Sequence, residues 1–111
     1  MKKFLVLYRS TVSAEDQMAH ATPEQAKAGM DAWMAWAHRA GSAIVDLGNP
    51  LGHPHYFSGP PLSSSGSHVG GFSILQAENE GALRMVLIGH PHLQVPGASI
   101  EALEFLPVPG M

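Results

Sequence analysis

Twenty residues, TPEQAKAGMDAWMAWAHRAG from Thr22 to Gly41, restrict the possible folds more than any other stretch of the chain. Thr22 is an N-cap, Pro23 suits the first helical position and Gln25 completes a Thr-x-x-Gln capping box. Gly41 ends the run. Between them Ala26, Met30, Trp33, Ala37 and Ala40 recur at steps of three or four and form one apolar stripe, with Lys27, Asp31, His38 and Arg39 off it. A helix whose stripe carries Met30 and Trp33 must lie on something apolar, and the remaining segments can be read as what it covers.

Two-sided apolar character marks the first candidate. Lys3 to Arg9, KFLVLYR, places Phe4, Val6 and Tyr8 on one side and Leu5 and Leu7 on the other, which predicts a strand buried on both faces. Ser10 to Ala21 has no settled period and reads as a loop with room for one helical turn. Ser42 to Leu47 is a second strand, closed by Gly48-Asn49-Pro50. From Asn49 to Val69 the chain turns rich in proline, glycine and serine, too long for an ordinary turn. Tyr56 and Phe57 are expected to pin the middle of that loop, and Ser63 to Ser67 to be its loosest part. Gly70 to Ala77 is a third strand. Asn79 caps a second helix, Glu80 to Ile88, with Ala82, Leu83, Val86 and Leu87 inward, before Gly89 and Pro91 stop it. Ile100 to Leu106 is the fourth strand.

The order β-α-β-β-α-β is the ferredoxin-like arrangement, an α+β fold with both helices on one face of a four-stranded antiparallel sheet. At 111 residues it fills residues 1–111 as one domain. Strand residues that are apolar on both sides leave a second face needing cover, which predicts a homodimer through the helix-free face. Composition narrows the partners. A net charge of -3 with 14% charged residues offers no basic surface for nucleic acid. No apolar run approaches the roughly 20 residues of a membrane span, and the five apolar residues after Lys3 are too few for a signal peptide. A chain without cysteine has no disulfide or thiolate chemistry; a cytoplasmic protein is expected.

The stretches KKFLVLYRS, ATPEQAKAGMDAWMAWA, GGFSILQAE, GHPHL and PGASIEALEFLPVPGM resemble the YCII-related family over nearly the whole chain outside the Asn49 to Val69 loop. The resemblance implies a small dimeric α+β barrel, similar to that of muconolactone isomerases and cofactor-independent monooxygenases, with one relative linked to dehalogenation of a chlorinated lactone. Better-studied branches pair a histidine early in the first helix with an aspartate after the second. Gln25 and His90 stand at the matching positions, so that dyad is not carried over.

Histidine is the abundant chemical residue, seven in all, four of them as His53-Pro54-His55 and His90-Pro91-His92. Proline extends the residue before it, so histidines two apart can face one way, as metal ligands do. Their spacing matches no zinc signature and neither Cys nor His-Glu-x-x-His accompanies them, so no metal or other cofactor is expected. For acid/base catalysis His90 and His92, directly after a helix end, are the candidates, with Asp46 at a strand end as orienting carboxylate. Plainer roles compete: packing and capping for His92, a turn for Asp46. Arg9 is a candidate to bind an anionic substrate, or else forms an interface ion pair; Gln25 joins it as a substrate-binding candidate. The reading that follows is a small carboxylated or lactone-like ligand held in a dimeric barrel, with histidine acid/base chemistry. A non-enzymatic module that uses the long loop to bind another protein is the alternative.

Overall fold

The computed structural model describes residues 1–57, 59 and 68–110. Four strands, β1 (Lys2–Arg9), β2 (Ile44–Asp46), β3 (Val69–Ala77) and β4 (Ser99–Glu104), form one antiparallel sheet in the order β2-β3-β1-β4. Three helices accompany it: α1 (Ala14–His20), α2 (Pro23–Ala40) and α3 (Glu80–Leu87). β1 sits at the centre, pairing Leu5 with both Ile74 of β3 and Leu103 of β4. Its period-2 alternation decides the layers. Phe4, Val6 and Tyr8 are buried beneath Trp36 of α2 and Leu83 of α3, with Leu75 and Ala77 of β3 beside them.

Local chemistry accounts for the helix ends. Thr22 Oγ1 accepts from the Gln25 backbone N–H while Gln25 Oε1 accepts from the Thr22 N–H, so the capping box is complete. At Gly41 the backbone takes φ +56°, where a side chain would be strained, and its N–H still reaches the Ala37 carbonyl. Asn79 caps α3 through the Ala82 N–H.

Several boundaries differ from the sequence reading. The stretch Ser10 to Ala21 holds a two-turn helix, because Ser13 accepts from the Asp16 N–H and starts it. Ser42 belongs to a 3₁₀ turn, Gly41–Ala43, which shortens the second strand to Ile44–Asp46. The α2 stripe is displaced toward its C-terminus: Trp36 is buried and Trp33, Ala37 and Ala40 pack on the core, whereas Met30 is 61% exposed. The N-terminal half of α2 thus projects beyond the core. Phe57, expected to pin the long loop, is 91% exposed; the loop is held instead at its start, where Leu51 N–H donates to the Gly70 carbonyl and Phe72 N–H to that of Asn49. The serine run Ser63 to Ser67 lies outside the described residues. No helix among the described residues is long and apolar enough to cross a membrane.

Candidate functional site

Gly89 and Pro91 place His90. With φ +72° at Gly89 the chain reverses after α3, and Pro91 holds His90 extended at φ -58° and ψ 136°. The imidazole is driven into the core, where it is 0% exposed. Three aromatic rings enclose it: Trp36 at 4.3 Å between centroids, Trp33 at 4.5 Å and edge-on, and Tyr8 stacked at 5.1 Å. α2 brings Trp33 and Trp36 one helical turn apart onto the same face, and the alternation of β1 turns Tyr8 toward them.

Nearly every polar atom in this cluster is already occupied. Tyr8 Oη donates to Ser73 Oγ at 2.8 Å, and Ser73 Oγ donates to the Leu47 carbonyl at 2.6 Å. Trp36 Nε1–H donates to the Val86 carbonyl. His90 Nδ1 accepts from the His92 backbone N–H at 2.9 Å, so its lone pair is used. His90 Nε2 is the exception: among the described residues it is the buried side-chain nitrogen or oxygen without a partner. Native cores leave few such atoms. Burial, followed by the nearby His92 and Arg39, pushes the His90 pKa down to about 4. Burial also raises that of Tyr8, against the hydrogen bond to Ser73, which lowers it.

The other sequence candidates lie in different settings. His92 is half-buried, and its Nε2 lies 2.8 Å from the Arg9 carbonyl and 3.0 Å from that of Ser99. Both are acceptors, so Nε2 carries the proton and ties the end of β1 to the start of β4. Arg9 pairs with Glu101 at 3.4 Å across β1 and β4 and lines a hollow of about 190 Å³ with Ser10, Thr11, His68, Gly97 and Ser99. Asp46 is exposed and accepts from the Gly48 N–H, closing the turn after β2. Gln25 is exposed and committed to the capping box. His53 meets Glu15 of α1, through its backbone N–H and, at 3.7 Å, its ring, and that hydrogen bond holds the Glu15 carboxyl below its ordinary range. The two His-Pro-His stretches therefore have separate partners. Among the described residues no group of three or more His, Asp or Glu is placed to hold a metal ion.

No family model matches the chain, and no curated protein matches it. Solved structures are similar to it. One of them is 5-chloro-2-hydroxyhydroquinone dehydrochlorinase from Burkholderia phenoliruptrix AC1100, in complex with 2,5-dihydroxybenzoquinone, at 13% identity and a TM-score of 0.48, with 91% of each chain covered. A likeness of that size carries no inference about substrate or reaction.

Sequence reasoning finds His90 but places Trp33 and Met30 on a packing stripe and gives Trp36, Tyr8 and Ser73 no role in a site. A tyrosine, a serine and two tryptophans on faces that converge on Gly-His-Pro are a usable signal only once the strand order is known. A larger groove, about 600 Å³, runs between α3 and β4 and is lined by Phe4, Leu83, Leu87, Ile88, Leu93 and Ile100 among others. It is apolar throughout except at its Glu80 and Arg84 rim.

Proposed function

We propose that the protein binds a small cyclic molecule, carbonyl-bearing or carboxylated, at the ring cluster around His90, in a homodimer of the ferredoxin-like α+β-barrel type that its YCII-related sequence resemblance implies. The observation that carries this is the unpaired His90 Nε2. A buried polar atom left without a partner costs about 1–3 kcal/mol, and an acceptor arriving from outside would recover that cost at His90 Nε2. Rings favour flat partners. Trp33, half-buried and without a side-chain hydrogen bond among the described residues, is the ring that can move to admit one.

Dimerisation is supported by the helix-free face. Leu103 and Phe105 are about half exposed there, next to half-buried Leu5, Leu7, Phe72 and Ile74, and the sheet register makes these one continuous apolar surface. The protein is a plate of 47 × 44 × 19 Å with a radius of gyration of 15.6 Å, above the roughly 13 Å of a compact domain this size. A second copy against the flat face would complete it.

The test is calorimetric titration and crystal soaking with a panel of small lactones, cyclic ketones and aromatic acids. Expected is density beside His90 Nε2 and, for the carbonyl-bearing members, binding about tenfold weaker in His90→Phe. If no member of the panel binds and a water molecule alone fills the position, the accessory-module reading takes precedence.

A further inference from the structure

The chemistry at His90 can be taken one step further, on the footing that the ring cluster is the binding site. We infer that His90 is a hydrogen-bond donor fixed in one tautomer, presenting Nε2–H to an uncharged carbonyl oxygen of the bound molecule, and that it is neither the base nor a metal ligand of the site.

The tautomer follows from one contact. The His92 backbone N–H can only donate, so His90 Nδ1 must keep its lone pair, and a neutral imidazole then carries its proton on Nε2. Protonating Nδ1 would set two donors against each other at 2.9 Å inside the core. The groups around the ring act in the same direction: Arg39 at the end of α2 and His92 on the same turn oppose added positive charge, and Tyr8 of β1 offers a neutral face. With Nδ1 engaged and Nε2 protonated, the ring has no lone pair left for a proton or a metal ion.

The acceptor class follows from the inventory of donors. Tyr8 Oη is given to Ser73, Ser73 Oγ to Leu47, Trp36 Nε1 to Val86, and His92 Nε2 to Arg9 and Ser99. One N–H remains. A carbonyl oxygen is satisfied by a single donor, whereas a carboxylate brought among three aromatic rings would lose its water for one neutral hydrogen bond, at a far larger cost. Arg39 is exposed, and a charge in water offsets little of that loss. Fixed neutral imidazoles of this kind polarise a carbonyl rather than take its proton.

Two measurements on the whole chain test the inference. Long-range nitrogen–proton correlation spectra of the imidazoles, from pH 5.5 to 8, are expected to show His90 protonated on Nε2 only and unchanged throughout, while free imidazole added to the sample titrates as the reference. A proton on Nδ1, or a His90 titrating together with the free imidazole, overturns the donor role even in a protein that binds ligand. Binding is then compared for acetophenone, benzoate and styrene, which share a flat ring and differ in carrying a carbonyl, a carboxylate or no acceptor. Acetophenone is expected to shift the His90 Nε2–H resonance, to change tryptophan emission and to bind about tenfold more tightly than styrene, the worth of one net hydrogen bond. Benzoate should gain nothing over styrene. In His90→Phe the two neutral probes should bind equally, with styrene binding itself serving as the check that the cluster is intact. A preference for benzoate, or none for acetophenone, overturns the carbonyl assignment. Should none of the three bind while the tautomer is as stated, the small-molecule site itself is what fails.

Discussion

Glycine and proline on either side of His90 do more for this protein than the imidazole could do alone. Gly89 supplies the positive φ that reverses the chain, Pro91 denies His90 a helical conformation, and the ring is delivered where burial keeps it neutral. A histidine whose folded pKa of about 4 lies below its ordinary 6.5 binds fewer protons folded than unfolded between those values. Stability from this residue is therefore complete above about pH 6.5 and is lost as the pH falls toward 4. Urea midpoints measured across that window are expected to decline more steeply for the natural protein than for His90→Gln; parallel curves would mean that the ring is not held neutral. Ser73 is a second residue where inventory decides. It accepts from Tyr8 and donates to Leu47 with no exposure, so Ser73→Ala strands a phenol and a carbonyl at once. A loss of about 1–3 kcal/mol is expected by chemical denaturation, and Tyr8→Phe in the same background should then cost less than it does alone.

Among the elements, the short turn Pro91–Gln94 has a role that its length conceals. Through His92 Nε2 it holds the Arg9 and Ser99 carbonyls together, joining the end of β1 to the start of β4 at an edge of the sheet. His92→Leu keeps the apolar bulk and removes the donor. Faster amide exchange at the N-terminal end of β4, with β3 unaffected, is expected by hydrogen-exchange mass spectrometry; uniform change across the sheet would point to global destabilisation instead. At the opposite edge Gly48 takes φ +85°, and a Cβ there would lie 1.6 Å from the Phe72 carbonyl oxygen. Gly48→Ala therefore combines strain with a backbone clash and should lower the denaturation midpoint well beyond an ordinary surface change.

For the molecule as a whole, helices cover one side of the sheet and, among the described residues, none covers the other. Phe4, Val6 and Tyr8 of β1 are sealed under α2 and α3, while Leu5 and Leu7 stand between partly exposed neighbours. Sedimentation at low micromolar concentration is expected to give about twice the 11.8 kDa chain mass. Leu103→Glu, which sets a charge opposite Leu5 in the register, should give a monomer. A wild-type monomer under those conditions would remove the dimeric-barrel proposal without touching the His90 cluster, which is built within one chain.

Period and punctuation made the four strands and both long helices legible from residues alone: alternation in KFLVLYR, the Thr22 capping box, the Gly41 and Gly89 stops and the Asn79 cap are local signals, fixed by bonds within a few positions. The site was half legible. His90 drew notice through its spacing from His92, yet the two histidines have unlike surroundings, one sealed among rings and the other tethered to two carbonyls, and nothing in His-Pro-His separates them. That division depends on β1 running between β3 and β4, which brings Tyr8 beneath Trp33 and Trp36 and leaves Arg9 and Ser99 side by side. The same long-range placement exposed Met30 and Phe57, whose hydrophobicity alone had suggested burial. Local geometry is encoded by neighbours in the chain; which nitrogen keeps a lone pair is decided by residues far apart in sequence that share one core.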